Sequence, residues 1–199
     1  NGRMRLDRKT IRDISAKDWL PVNKILRYSS NIGAAKIAME LGAQKYYTYL
    51  GRLGFGQRMG LPLAGEKHPA MVALPAGEEE GILRLPGTWE RIELATAGFG
   101  QGFSVTLPQL ARAYLSLANE GVLKPLRLVL EPNVNTQAET RVFDPQVASK
   151  VLEMLQGVVE SGTGKRTQIQ GMPVAGKTST AQKASAKGGY GDKVVASFV

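Results

Sequence analysis

Apolar residues recur at helical spacing through the first quarter of the chain. They predict three helices in succession, over residues 19–28, 31–41 and 43–53. Asp18 is the predicted N-cap of the first helix, and Gly42 is the predicted stop of the second. The positions expected to form the buried face of the second helix are Ile32, Ala35, Ile37, Ala38 and Leu41.

The rest of the chain is predicted to combine two more helices with extended segments. Thr106 and Gln109 form a capping box that opens a helix to about residue 119, and Asp144-Pro145 open another that ends near residue 161. Helices in the middle and a hairpin at the end predict an α+β fold with helices covering an antiparallel sheet. The remaining segments are a short strand or arm within 1–17, loops over 54–90, a strand at 122–130, and a hairpin of 173–181 with 193–199.

Composition limits the function classes. The chain has 199 residues, 43% of them hydrophobic and 22% charged, as in an ordinary globular domain. The net charge is +9, but the basic residues are scattered without interleaved aromatics, so nucleic acid is not an expected partner. Cys is absent and His68 is the lone histidine, in a predicted loop, so no metal site and no cofactor is expected. No apolar run is long enough to span a membrane.

Two widely separated segments carry the candidate chemistry. Ser29-Ser30-Asn31 stands at a predicted helix start, where Ser and Asn commonly act as N-caps. The same triplet can place a hydroxyl in a proton relay and an amide on a substrate carbonyl or a catalytic lysine. Gly176 to Thr180 form a predicted strand, with Lys177 and Ser179 on one face and Thr178 and Thr180 on the other. A cation and hydroxyls on an edge strand can bind a peptide carboxylate, although a plain amphipathic strand has the same pattern.

A different interpretation of the second segment is a nucleotide-binding loop. Residues 171–178 match G-x-x-x-x-G-K-[ST], in which backbone amides hold phosphate groups. That loop needs a buried strand before Gly171 and a helix that starts at Lys177. The polar stretch at 161–170 does not favour the strand, and the Gly-containing stretch after Lys177 does not favour the helix. The alternative therefore remains open but is not preferred.

Taken together, the two segments resemble class B penicillin-binding proteins. The stretch YSSNIGAAKIAMELGAQKYYTYLGRLGFG is similar to the region of the family's second motif, and GFGQGFSVTLPQLARAYLSLANEG to the helix that follows. VVESGTGKRTQIQGMPVAGKTSTAQK is similar to the third motif and the helix before it. The chain most resembles the cell-division, or septal, peptidoglycan D,D-transpeptidase. It is identified as part of one transpeptidase domain spanning residues 1–199, with a serine β-lactamase-like α+β fold.

The resemblance implies specific roles for the matching residues. In the family, a serine attacks the penultimate D-Ala carbonyl of a stem peptide, and penicillins acylate the same serine. Ser29 would be the relay hydroxyl and Asn31 the amide, both catalytic. Lys177 would be the electrostatic partner of the substrate carboxylate, and Thr180 would supply a backbone N–H of the oxyanion hole. The substrate-binding residues would be Thr178, Ser179 and Gly176.

Two departures from the family pattern shape the expectations. The third motif usually has Gly where this chain has Ser179, and no Ser-x-x-Lys occurs in the 199 residues. We therefore expect an excerpt that lacks the upstream nucleophile and the C-terminal end of the domain, and that is inactive alone.

The implied partners are stem peptides, β-lactams and other cell-wall and division proteins. The implied location is the periplasmic face of the inner membrane, with the anchor outside this chain. A non-catalytic interaction module of the same fold is the remaining alternative.

Overall fold

The computed structural model describes residues 2–59, 79–126, 139–185 and 190–199. They form two compact units, unit 1 with Asn1–Tyr46, Arg84–Gly102 and Lys150–Val199, and unit 2 with Tyr47–Leu83 and Phe103–Ser149. The helices are α1 (Val22–Tyr28), α2 (Asn31–Leu41), α3 (Ala43–Arg52), α4 (Arg91–Ala97), α5 (Leu107–Ala118) and α6 (Pro145–Ser161). The strands are β1 (Arg3–Leu6), β2 (Lys9–Arg12), β3 (Val122–Leu123), β4 (Thr140–Arg141), β5 (Thr178–Ala184) and β6 (Tyr190–Phe198). Residues 60–78, which include His68 and much of the predicted loop region at 54–90, and residues 186–189 lie outside the described residues.

The core of unit 1 lies between the β1–β2 hairpin and two helices. Leu6 of β1 and Ile11 of β2 point inward and pack with Ala35 of α2 and Ala95 of α4. Small side chains let the helices approach closely. A Cβ on Gly98, just after α4, would lie 2.7 Å from the Ala34 carbonyl oxygen, so glycine at this position permits the close approach of α2 and α4. The short strand predicted within residues 1–17 is one half of the antiparallel β1–β2 hairpin.

The predicted bounds of α2, α3, α5 and α6 are confirmed to within a residue or two, but α1 begins later than predicted. Its N-cap is Pro21 and not Asp18, and Trp19 is 81% exposed. Pro21 disfavours helical backbone at Leu20, so the helix does not extend back over Trp19 and Leu20. The predicted burial of Ile37 is also wrong, since its side chain is 45% exposed.

Extended structure is less continuous than the sequence predicts. The described strands form three separate antiparallel pairs, β1–β2, β3–β4 and β5–β6. Of the predicted strand at 122–130, the described residues 122–126 form only β3, since Pro125 cannot donate to a ladder. Residues 127–130 lie outside the described part of the chain. The terminal hairpin is confirmed as β5 and β6, but its first strand begins at Thr178 and not at residue 173, and both strands extend farther toward the connecting loop than predicted. Among the described residues, no helix has the length and apolar character needed to cross a membrane.

In unit 2, Gln109 is the polar centre of the packing. It is 1% exposed and lies in the first turn of α5, whose predicted capping box with Thr106 is confirmed. Its Oε1 accepts a hydrogen bond from the Thr106 N–H at 2.8 Å. Its Nε2 donates to the carbonyls of Gln57 at 2.8 Å and Glu80 at 3.0 Å. One amide thus joins the start of α5 to two chain segments that are distant in sequence.

Replacing Gln109 by alanine is expected to lower the free energy of unfolding by about 3 kcal/mol, because a buried side-chain amide and its part-buried hydrogen bonds to three backbone groups are lost. Urea denaturation followed by circular dichroism measures the change. The matched control is Gln146→Ala, at an exposed glutamine in the first turn of α6. Equal stability of the two variants would show that Gln109 does not hold these segments.

Candidate active site

The turn between α1 and α2 is formed by Ser29-Ser30-Asn31. Ser29 is the C-cap of α1 and adopts left-handed backbone angles, φ 55° and ψ 48°. A side chain in this conformation costs roughly 1–2 kcal/mol, so the surroundings must hold it. Ser30 supplies the N-cap of α2, and its Oγ accepts from the Gly33 N–H at 2.9 Å. The capping role and the candidate catalytic role thus fall on different serines of the triplet.

The end of β2 holds this turn in place, which the sequence did not indicate. The Asp13 carboxylate accepts hydrogen bonds from the Ser30 hydroxyl at 2.7 Å and from the Ile32 N–H at 3.0 Å. The Asn31 side-chain amide donates to the Arg12 carbonyl at 3.0 Å. Three bonds from two consecutive residues therefore fix the Ser29–Asn31 turn to the β1–β2 hairpin. Only the chain fold brings Asp13 to the exposed N–H groups at the start of α2.

Lys177 joins the two candidate segments directly. Its Nζ donates to the Ser29 Oγ at 2.9 Å and to the Thr178 carbonyl at 2.8 Å. Burial lowers the pKa of the ammonium group. Within the described part of the chain, no carboxylate forms an ion pair with this lysine. The site therefore presents a partly buried cation without a fixed counter-ion, which is suited to an incoming carboxylate.

Thr163 is a further residue at this site that the sequence analysis missed. Its hydroxyl is 2.8 Å from the Thr178 hydroxyl, and its N–H donates to the Arg27 carbonyl at 3.2 Å. It lies in the turn that follows α6, within the sequence Ser161-Gly-Thr-Gly164. A cluster of small and polar residues just after a helix is the signal that could have identified it. Two hydroxyls thus lie close together, one of them on the residue that follows Lys177.

The register of β5 and β6 decides where the backbone N–H groups of the segment from Gly176 to Thr180 point. Lys177 and Val199 exchange two hydrogen bonds, at 2.8 Å and 3.3 Å, so they form a hydrogen-bonded pair. In an antiparallel ladder such pairs alternate with non-bonded pairs. Thr180, three residues along and paired with Ala196, therefore directs its N–H away from β6. Among the described strands, none pairs with that edge of β5.

Gly176 occupies a position at which a side chain does not fit. It is buried, and a Cβ there would lie 2.3 Å from the Phe198 ring and 2.6 Å from the Val199 carbonyl oxygen. Its N–H donates to the Leu155 carbonyl of α6 at 3.4 Å. Glycine therefore lets the start of β5 pass between α6 and the end of β6. This close approach places Lys177 beside Ser29.

The structure brings Ser29 and Lys177 together and leaves Ser179 and Thr180 exposed on β5. Asn31 contacts Arg12 and not the lysine.

The nucleotide-binding interpretation of residues 171–178 is wrong, because a strand and not a helix follows Lys177. A single 3-10 turn and an isolated β-bridge, rather than a buried strand, precede the segment.

A comparison with known protein families identifies the family of this chain. The family model described as the penicillin-binding protein transpeptidase domain matches residues 4–199. The chain belongs to this family. The resemblance noted in the sequence is thereby confirmed, as is the α+β fold, which is shared with solved transpeptidase domains.

Curated relatives extend well beyond this chain. The probable peptidoglycan D,D-transpeptidase PbpC of Pseudomonas aeruginosa is 39% identical, over 96% of this chain and 32% of the relative. The peptidoglycan D,D-transpeptidase FtsI of Escherichia coli is 30% identical, over 96% of this chain and 30% of the relative. The chain thus spans about a third of the length of these two proteins.

Solved structures superimpose over nearly the whole chain. The apo transpeptidase domain of penicillin-binding protein 3 from Burkholderia pseudomallei has a TM-score of 0.86 at 36% identity, covering 100% of this chain and 56% of that one. Penicillin-binding protein 3 of the tuberculosis mycobacterium, solved in complex with ampicillin, has a TM-score of 0.83 at 29% identity. That match covers 99% of this chain and 45% of that one.

Proposed function

We propose that this chain is part of a serine-type peptidoglycan D,D-transpeptidase that cross-links stem peptides during cell-wall synthesis at division. The observation that carries the proposal is the 2.9 Å contact between Lys177 Nζ and Ser29 Oγ, beside the edge of β5 with which none of the described strands pairs. This contact joins the family's second and third motifs into one site. The names of the curated relatives support the same reaction.

In this proposal, Lys177 and the neighbouring hydroxyls bind the carboxylate of the acyl donor. The donor is a stem peptide that ends in D-Ala-D-Ala, or a β-lactam that imitates it. The ammonium group of Lys177, which forms no ion pair among the described residues, attracts the terminal carboxylate, and Thr178 with Thr163 donates hydrogen bonds to it. The small residues Gly176 and Ser179 leave room for the peptide to lie along the β5 edge, where backbone pairing orients it.

The remaining residues act on the reacting carbonyl and its leaving group. The Thr180 N–H, which points away from β6, stabilises the oxyanion that develops on the scissile carbonyl. The Ser29 oxygen accepts from Lys177, so its own hydroxyl proton is free to be donated to the leaving amine. Asn31 orients the donor peptide through its amide oxygen, since its amide nitrogen is held by Arg12.

The acylated nucleophile belongs to a part of the protein not included in these 199 residues, since they contain no Ser-x-x-Lys. The fragment alone is therefore proposed to be inactive. In the whole protein, the oxyanion hole is completed by the N–H of that serine, as in other acyl-transfer enzymes.

The proposed partners are stem peptides, β-lactams, and other cell-wall and division proteins. The proposed location is the periplasm, where the cell wall is made.

Labelling of the full-length protein with a fluorescent penicillin tests the proposal. We expect one hydrolysis-resistant label per molecule, blocked by excess unlabelled penicillin, together with D-alanine release from a D-Ala-D-Ala stem peptide. The control is the same protein with the serine of its Ser-x-x-Lys replaced by alanine. A full-length protein that folds but takes up no label and releases no D-alanine would instead be a non-catalytic interaction module.

A further inference from the structure

Ser29 ends α1 in a geometry that usually belongs to glycine. Its N–H donates to the Leu26 carbonyl at 3.2 Å. The next N–H, that of Ser30, donates to the Ile25 carbonyl at 3.0 Å, and the two bonds together form a Schellman motif. The left-handed angles at Ser29 are those that glycine adopts in this motif without steric cost. A serine here is strained, and such strain persists only where the surrounding structure holds it.

Asp13 holds the residue that follows the strained position. Its carboxylate accepts the Ser30 hydroxyl hydrogen at 2.7 Å, and Ser30 is only 7% exposed. A charge-assisted bond that is partly shielded from water is among the stronger hydrogen bonds of a protein. Asp13 also accepts from the Ile32 N–H at 3.0 Å, although Ser30 already caps α2 through the Gly33 N–H. The carboxylate therefore does more than cap a helix, since it ties the chain after Ser29 to the end of β2.

The side chain of Ser29 points at Lys177 as a result. The Ser29 Oγ accepts from the Lys177 Nζ at 2.9 Å. Before Ser29, the chain is fixed by the packing of α1 on α2, because a Cβ on Gly33 would lie 2.7 Å from the Ile25 side chain. After Ser29, it is fixed by Asp13. The direction of a side chain follows the backbone angles of its residue, so release of the left-handed angles would turn the hydroxyl away from the lysine.

We propose that Asp13 is a positioning residue for the Ser29 hydroxyl. By holding Ser30, it keeps Ser29 in the left-handed conformation and keeps the Ser29 Oγ on the Lys177 ammonium group. This inference rests on the proposed function, which assigns proton donation to the leaving nitrogen to Ser29. A proton donor displaced by about 1 Å can lose about 10²-fold in rate. Asp13 acts through Ser30 and Ser29, so its loss should lower the rate of acylation more than it weakens binding of the acyl donor.

Stopped-flow acylation of full-length Asp13→Asn by a chromogenic β-lactam tests the proposal. The asparagine oxygen can still accept from Ile32, but the amide nitrogen cannot accept the Ser30 hydroxyl hydrogen. We expect the rate constant at saturating β-lactam to fall about tenfold and the half-saturating concentration to change less than about twofold. The matched control is Asp7→Asn, which removes a carboxylate of the same hairpin whose ion pair with Arg91 is exposed. The control should stay within about twofold of the parent.

Ser29→Gly supplies a readout that a purely structural role of Asp13 would not move. Glycine keeps the left-handed backbone without strain and removes the hydroxyl that Asp13 is proposed to position. The residual acylation of this variant is followed with a fluorescent penicillin over a longer time. Adding Asp13→Asn to Ser29→Gly should slow that residual reaction by less than about twofold, because two changes that act through one group are not additive. The melting temperature should also fall less in this background than in the parent, since glycine needs no holding.

Three results would overturn the inference. Asp13→Asn could react as fast as the parent, or it could slow the Ser29→Gly protein as much as it slows the parent, so that Asp13 does not act through Ser29. Loss of the folded state in Asp13→Asn, seen by circular dichroism, would assign Asp13 to the fold and not to the site. If the unmodified full-length protein does not react with penicillin, the proposed function fails. The melting temperatures then still show whether Asp13 holds Ser29.

Discussion

In the full-length protein, Lys177→Ala is expected to slow acylation by penicillin about 10²–10³-fold. A positioned donor that acts on developing charge in a water-poor site typically contributes that much. Lys177 also fixes the Ser29 hydroxyl at 2.9 Å and is the proposed carboxylate partner, so its loss affects both binding and the relay. Stopped-flow measurement with a chromogenic β-lactam gives the acylation rate constant over a range of concentrations.

Lys183→Ala is the matched control for the Lys177 variant. Lys183 is an exposed lysine on the same strand, and its removal should leave the acylation rate within about twofold of the parent, as for an ordinary surface charge. If Lys177→Ala reacts as fast as the parent protein, the role given to Lys177 is wrong. A similar slowing in both variants would instead reflect a general effect of the strand's charge.

The pH dependence follows from the burial of Lys177. Burial lowers the pKa of its ammonium group below the ordinary value of 10.5, so the charged form is lost at lower pH than for an exposed lysine. The proposed carboxylate contact needs that charge. In the same experiment, acylation should therefore decline with rising pH before exposed lysines titrate, and this limb should be absent in Lys177→Ala.

Gly176→Ala is expected to lower the free energy of unfolding by about 1–3 kcal/mol, as overpacking does. The added Cβ would overlap the Phe198 ring and the Val199 carbonyl oxygen, at 2.3 Å and 2.6 Å. The ring can rotate, but the carbonyl is backbone, so the end of β6 must move. Because Lys177 pairs with Val199, this movement displaces the site, and we expect acylation to slow about 10²-fold.

Gly191→Ala separates this effect from the general effect of adding a methyl group to the hairpin. Gly191 lies on β6, and a Cβ there would be 3.8 Å from its nearest neighbour, an ordinary contact. Thermal unfolding and penicillin acylation of both full-length variants make the comparison. If Gly176→Ala matches Gly191→Ala in stability and rate, the close approach at Gly176 does not position the site.

Local sequence signals located most helices but could not settle their burial. Asp144-Pro145 marked the start of α6 and Thr106 with Gln109 the start of α5, since capping depends on residues within one turn. Ile37 was placed on the buried face by periodicity alone, yet it is largely exposed. Burial depends on which neighbouring elements cover a helix, and periodicity does not contain that information.

The sequence by itself determined which residues carry the candidate chemistry, because Ser29-Ser30-Asn31 and Lys177 to Thr180 are short motifs whose residue types and order are visible along the chain. Only the tertiary structure decided their partners. It brings the Lys177 ammonium group into contact with the Ser29 hydroxyl and the Asp13 carboxylate into contact with the first turn of α2. It also places the Thr163 hydroxyl next to the Thr178 hydroxyl. These contacts join residues on separate elements, so they depend on chain packing. The direction of the Thr180 N–H likewise follows from strand register, which is set when β5 pairs with β6.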